Sequence, residues 1–271
     1  MKRHFAVIGH PIAHSLSPQM HESAFKALGL DADYLRFDVH PQQLGDAVLG
    51  LKALGFAGWN VTLPHKEAVM PYLDELTLEA QRIGAVNTVK REGSRLIGHN
   101  TDGGGFLRSV ESLLGDVQGK RAVILGAGGA ARGVAFALAG QGMKLEILNR
   151  TPERAKRLAQ DLPQTDGEAD WGRLEEGQWL PGLDLLVQTT SVGLRGETYP
   201  ISLQGIAKHA LVVDIIFNPW ETSLLQEARK LGCQTLNGLD MLLYQGVLAW
   251  EFWFEKEAPV EVMRKALLSA L

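Results

Sequence analysis

The chain has 271 residues, a formal net charge of -4, 45% hydrophobic and 21% charged residues, which suits one large or two ordinary folded domains and excludes wholesale disorder. The near-neutral charge supplies no basic field, so nucleic acid is not an expected partner. Cys233 is the only cysteine, the apolar run 5–8 is too short for a signal peptide, and 239–254 is too short and too polar to span a membrane, so a cytoplasmic protein is expected.

Residues 5–9 read as a buried strand, and 18–28 as a helix with Met20, Ala24, Ala27 and Leu28 on one face. A second strand (34–39), a second helix (44–54) and a third strand (58–63) follow. Pro64 is expected to open a helix, where its missing N–H costs nothing. Residues 85–90 and 95–98 flank Glu92-Gly93-Ser94 as a hairpin. A helix is expected from Asp102 to about residue 114. After the polar break 115–120 a fresh series opens: strand 122–125, helix 130–139, strand 145–149, helix 152–162, and strands at 185–189 and 211–215. The polar segment 163–181 carries no clear period. Helices at 239–254 and 260–271 close the series. Alternating strands and helices predict an α/β protein with mainly parallel sheets covered on both faces.

The strongest local motif is Gly126-Ala-Gly-Gly-Ala-Ala131, which follows a strand and opens a helix. Glycines there allow a tight turn and let the backbone approach a pyrophosphate, which rests on the free N–H groups of the helix. A plain strand–helix turn is the bland alternative. The next strand ends in Asn149-Arg-Thr-Pro-Glu-Arg154. No carboxylate stands at 149–151 to bond a ribose 2′-hydroxyl, and Arg150 and Arg154 offer planar donor forks suited to a 2′-phosphate, so NADP is expected over NAD.

Three polar clusters lie at strand ends in the first half. Asn60-Val-Thr-Leu-Pro-His-Lys66 runs from a strand into the expected helix, so Thr62 and Lys66 are expected to face one crevice. A lysine at a helix N-terminus is disfavoured by the dipole, which hints at chemistry. Asn100-Thr-Asp-Gly-Gly-Gly105 offers Asp102, either an N-cap or a partner for Lys66. The three glycines are poor helix formers and suggest close approach of another group. Ser15 and Ser17 precede Pro18; Ser17 reads as an N-cap, or with Ser15 as a carboxylate pocket at a helix N-terminus. His10 and His14 are four apart, but Pro11 interrupts any helix that would align them, so no metal is expected.

Together these segments resemble the shikimate dehydrogenase family over nearly the whole chain. The motifs are His14-Ser-Leu-Ser-Pro18, Asn60-Val-Thr-Leu-Pro-His-Lys66, Gly84-Ala-Val-Asn-Thr88, Asn100-Thr-Asp-Gly103, Gly126-Ala-Gly-Gly-Ala-Ala-Arg132, Asn149-Arg-Thr151 and Tyr244-Gln-Gly246. The resemblance implies a discontinuous substrate-binding and catalytic domain, 1–101 plus 239–271, completed by the C-terminal helices, and a Rossmann-type NADP-binding domain, 102–238. It implies reversible NADPH-linked reduction of 3-dehydroshikimate to shikimate in aromatic amino-acid precursor synthesis. By the resemblance, Ser15 and Ser17 hold the substrate carboxylate, and Thr62, Asn87, Asp102 and Gln245 bind hydroxyls. Lys66 is the general acid/base with Asp102 its partner, although the residues alone leave open which of the two transfers the proton. Gly126, Ala127, Gly128, Gly129, Ala130, Asn149, Arg150, Thr151, Arg154, Ile215 and Gly238 line the cofactor.

Two departures stand out. Phe217 replaces the family's tyrosine and removes a hydroxyl expected near the substrate, and 188–193 begins with Gln188 and lacks proline, so a local shape change is expected there. The alternatives are a quinate/shikimate dehydrogenase with relaxed cofactor use, against which Arg150 argues, and a silent NADP-binding sensor, which needs neither Lys66 nor Asp102. A monomer or homodimer is expected.

Overall fold

The computed structural model describes residues 2–163, 169–174 and 180–271. These divide into two compact units, one of Met1–Gly105 with Leu242–Leu271 and one of Phe106–Met241.

The first unit is built on a six-stranded sheet. Strand β1 (Arg3–Gly9) carries five consecutive buried residues, because it lies between two neighbours and under helices. It pairs in parallel with β2 (Ala32–Asp38) and β3 (Gly58–Val61). Parallel neighbours need crossovers, and these are α1 (Ser17–Ala27) and α2 (Leu44–Ala53). The sheet continues through β5 (Thr88–Glu92) and β6 (Arg95–His99), an antiparallel hairpin turning at Gly93 (φ 62°), and ends at β4 (Glu75–Leu76). Its order is β2-β1-β3-β5-β6-β4. Pairings β3–β5 and β5–β6 are antiparallel and the other three parallel. Helix α3 (Leu78–Ile83) starts on a Thr77 side-chain cap and ends on Gly84 in the left-handed region. Helix α4 (Asp102–Leu114) follows β6.

The second unit is wholly parallel. Strands β7 (Arg121–Leu125), β8 (Lys144–Asn149), β9 (Asp170–Arg173), β10 (Leu185–Gln188), β11 (Leu211–Asp214) and β12 (Gln234–Leu236) lie in the order β12-β11-β10-β7-β8-β9. Helices α5 (Gly129–Gly140), α6 (Pro152–Asp161) and α7 (Ser223–Lys230) connect them. Two apolar clusters fill this unit. One gathers Phe106, Val134 and Leu138 against Ile124 and Val187; the other sets Leu203, Leu224 and Leu225 against Val123 and Leu186. Consecutive strands leave β7 in opposite directions, towards β8 and towards β10, the switch point where open α/β sheets bind ligands.

Helices α8 (Leu239–Phe254) and α9 (Val260–Ser269) close the chain. From α8, Trp250, Trp253 and Phe254 form an aromatic cluster with Phe5 and Phe25. Among the described residues, no helix is long and apolar enough to cross a membrane.

Two local expectations are corrected. Pro64 does not open a helix: turns carry the chain to a 3-10 segment at Met70–Tyr72. The Lys66 carbonyl accepts the Val86 N–H at 2.8 Å, so it is not free for the i+4 bond a helix requires. The dipole argument for Lys66 falls with that helix. Ser17 is not an N-cap but the first helical residue; Leu16 precedes it, with no side-chain cap.

Candidate functional site

In the first unit, Lys66 is carried by the turns after β3 and Asp102 by the start of α4. Lys66 Nζ donates to Asp102 Oδ2 at 2.6 Å, with side-chain exposures of 15% and 4%. A shielded pair of this kind has a stronger mutual attraction than a surface pair. The second Asp102 oxygen accepts Asn87 Nδ2 at 2.8 Å. The Asp102 side chain therefore serves Lys66 and Asn87 rather than capping α4, and Asn100 Oδ1 takes the Asp102 N–H at 3.0 Å.

Asn87 is fixed from several sides. Its Oδ1 accepts the Thr101 N–H (2.8 Å) and the Thr88 hydroxyl (3.0 Å), and its Nδ2 also reaches Thr101 Oγ1 (2.9 Å). Behind it, Asn60 Nδ2 donates to the Asn87 carbonyl (3.2 Å) and Thr88 Oγ1 (3.0 Å), and Tyr34 OH donates to Asn60 Oδ1 (2.6 Å). Asn60, Asn87, Thr88, Thr101 and Asp102 are all buried. A network satisfied at this many points holds its members to one geometry. Sequence reasoning gave no role to Tyr34, since a hydroxyl on a strand reads as an ordinary sheet residue; Asn60, Thr88 and Thr101 stood inside motifs without an assignment.

Ser15 Oγ accepts the Ser17 N–H at 3.3 Å, and Ser17 is buried. Burial holds the Tyr34 phenol well above its ordinary pKa. Thr62 and Ser15 are half-buried. Gln245, on α8, donates Nε2 to the Leu242 carbonyl at 2.8 Å. The α8 backbone at Gln245 lies so close to α4 that a Cβ on Gly105 would sit 2.6 Å from the Gln245 nitrogen. The glycines after Asp102 thus serve close approach of another helix.

In the second unit, the turn after β7 carries Gly126 at φ 115°, and a Cβ there would lie 2.5 Å from Thr189 Oγ1. Both facts demand glycine. Gly128 precedes α5 with no side-chain cap, so the first amides of α5 are available to an anion, and Gly128, Gly129 and Ala130 are partly exposed while Ala127 is buried. At the end of β8, Asn149 Nδ2 donates to the Thr151 carbonyl at 2.9 Å, and Arg150 and Arg154 are exposed. An uncapped helix start, a glycine turn against the sheet and exposed guanidiniums beside it fit a phosphorylated dinucleotide.

Asp214 ends β11. It accepts the Ile216 N–H (3.0 Å) and the Thr222 hydroxyl (2.7 Å), yet burial pushes its pKa up to about 6. Gln188 Nε2 reaches the same carboxyl at 3.3 Å and the carbonyls of Thr190 and Val192, and its Oε1 accepts the Thr190 N–H. One amide thereby ties the loop after β10 to the loop after β11, which carries Ile215 and the half-buried Phe217. Gly238 is buried against Ile215, whose carbonyl oxygen a Cβ would meet at 1.9 Å. Among the described residues, no group of three or more His, Cys, Asp or Glu is placed to hold a metal.

Comparison with known proteins gives one consistent family. Models described as the shikimate dehydrogenase substrate binding domain, shikimate / quinate 5-dehydrogenase, and the shikimate 5′-dehydrogenase C-terminal domain match residues 7–89, 108–192 and 238–268. A shikimate dehydrogenase (NADP(+)) of Desulfitobacterium hafniense (strain Y51) is 60% identical over 274 residues, covering 100% of this chain and 99% of the relative. A crystal structure of a shikimate dehydrogenase in complex with NADP+ superposes with a TM-score of 0.91 at 43% identity, covering 99% of this chain and 95% of that one. The shikimate 5-dehydrogenase from Thermus thermophilus in complex with NADP(H) and shikimate gives 0.89 at 40% identity, covering 99% and 100%.

Proposed function

The chain belongs to the shikimate dehydrogenase family, and from that premise we infer that it catalyses the reversible, NADPH-dependent reduction of 3-dehydroshikimate to shikimate in aromatic amino-acid biosynthesis. The bound nicotinamide supplies the hydride to the ring carbonyl carbon.

The residue roles are our reading, and the observation that carries them is the 2.6 Å contact of the shielded Lys66 and Asp102. Lys66 Nζ gives a proton to the carbonyl oxygen as it gains negative charge, and takes it back in the oxidative direction. Asp102 keeps the ammonium aimed, and with Asn87 it bonds ring hydroxyls. Thr62 and Gln245 bind hydroxyls. Ser15 and Ser17 take the substrate carboxylate. Gly126, Ala127, Gly128, Gly129 and Ala130 cradle the pyrophosphate. Asn149, Arg150, Thr151 and Arg154 take the 2′-phosphate, and Ile215 and Gly238 line the nicotinamide end. Phe217 meets the substrate through its ring alone. The working form is a cytoplasmic monomer or homodimer.

The test is absorbance at the nicotinamide band with shikimate and with quinate, each against NADP and NAD. Turnover of shikimate with NADP well above the other three combinations is expected. Turnover confined to quinate or to NAD would replace this assignment.

A further inference from the structure

The hydrogen-bond directions behind Lys66 and Asp102 follow by elimination. The Asp102 carboxylate accepts, so Asn87 presents Nδ2 to it (2.8 Å) and its own Oδ1 to the Thr101 N–H (2.8 Å). The Asn87 carbonyl accepts, so Asn60 presents Nδ2 there (3.2 Å) and to Thr88 (3.0 Å), which turns Asn60 Oδ1 towards Tyr34. The Tyr34 hydroxyl, 2.6 Å away, must then donate. A phenol has one proton, and this one is committed.

The Tyr34 ring has little freedom. It stacks on His21 at 4.7 Å between centroids and 11° between planes, and Trp253 lies 6.3 Å away. Neither His21 ring nitrogen has a hydrogen-bond partner, and burial lowers its pKa to about 3. His21 is thus a neutral, flat wall that fixes the ring while the hydroxyl fixes Asn60.

We propose that Tyr34 is a positioning residue for the reaction, holding the Asn60–Asn87–Asp102 line to one geometry by donating its single proton to Asn60. The proposal rests on the role given above to Asp102.

Tyr34→Phe keeps the ring and its stack and removes one hydroxyl. The expected result is a fall of about tenfold in kcat/KM for shikimate, with KM for NADP within twofold of wild type; a tenfold change is the loss of about one hydrogen bond. Tyr34→Phe and Asn60→Ala should also be non-additive, the double variant losing less than the product of the single losses. Asn60→Ala releases the phenol proton from the other side and should give the same split between shikimate and NADP, and it decides the matter should Tyr34→Phe fail to fold. Wild-type kinetics in Tyr34→Phe, a parallel rise in KM for NADP, or fully additive losses would overturn the proposal and leave the assigned reaction standing. Asp102→Asn with unchanged shikimate kinetics would instead remove the role given to Asp102, and the proposal with it.

Discussion

Lys66 and Asp102 are largely withdrawn from water, and ions so placed are stabilised by each other and by hydrogen bonds rather than by solvent. Asp102 retains Asn87 when the ammonium is deleted, so Lys66→Ala is expected to leave the scaffold in place and to lower kcat by roughly 10²–10⁴ with a small change in KM for shikimate. Steady-state kinetics decide, and a near wild-type kcat would take Lys66 out of the mechanism. His21 makes a different prediction. An unfolded imidazole protonates near 6.5, whereas folded His21 resists until about 3. Between those values the unfolded chain holds one proton more, so stability falls with pH below 6.5, by about 1.4 kcal/mol per unit. Melting temperatures at pH 7 and pH 5 should drop further for wild type than for His21→Leu; equal drops would show that folded His21 accepts a proton in that range. Asp214, raised from 3.8 to about 6, works in the opposite sense, its contribution falling as pH rises from 3.8 to 6, which is why the comparison needs the variant. Lys66 and Asp102 were legible from the motifs at 60–66 and 100–103 that carry them, while the dipole argument that singled out Lys66 rested on a helix that does not form. Tyr34 was not, because a tyrosine facing inward from a strand reads as packing until its hydroxyl partner is seen.

Among the elements, the longer ones followed from hydrophobic period, and β1, α1, α5 and α8 lie within a residue or two of their expected bounds. The pieces that escaped are short. Strands β4 and β12 have two and three residues, too few to show alternation, and exist because β6 and β11 offer them a ladder. Helix α7 buries only Leu224, Leu225 and Ala228 in a polar stretch. The helix expected at Pro64 failed for a tertiary reason: the partner of the Lys66 carbonyl is Val86, twenty residues on, and no local pattern announces it. The α4–α8 crossing yields a test. A Cβ on Gly105 meets Gln245 backbone at 2.6 Å, while one on Gly104 meets only the end of the Leu248 side chain at 2.8 Å. Gly105→Ala should therefore cost about 1–3 kcal/mol, the range for overpacking, and raise KM for shikimate by displacing Gln245. Gly104→Ala should cost less, since a leucine rotamer can yield. Denaturant midpoints that rank the two variants the other way would contradict this view of the crossing.

At the scale of the whole molecule, one unit carries Lys66, Asp102, Ser15, Ser17, Thr62, Asn87 and Gln245, and the other carries the glycine turn and Arg150. Ligand binding to the folded form raises apparent stability, by about 2.7 kcal/mol when the ligand is at one hundred times its Kd. Arg150→Ala is expected to weaken NADPH by about 1–3 kcal/mol, the scale of a charged hydrogen bond, and to leave NADH nearly untouched. Thermal shifts should accordingly shrink for NADPH and persist for NADH, and equal shrinkage for both would remove Arg150 from 2′-phosphate recognition. The divide between the units falls after Gly105 within α4 and after Met241 within α8, so the first unit draws on both ends of the chain.

That discontinuity imposes an order on biosynthesis. Every strand of the second unit is translated before Trp250, Trp253 and Phe254, and until those are made, Phe5, Phe25 and Tyr34 lack the rings that finally shelter them. The portion made first is thus the last to be sealed, and through most of translation its apolar surface stays open to the aggregation that exposed hydrophobic surface invites.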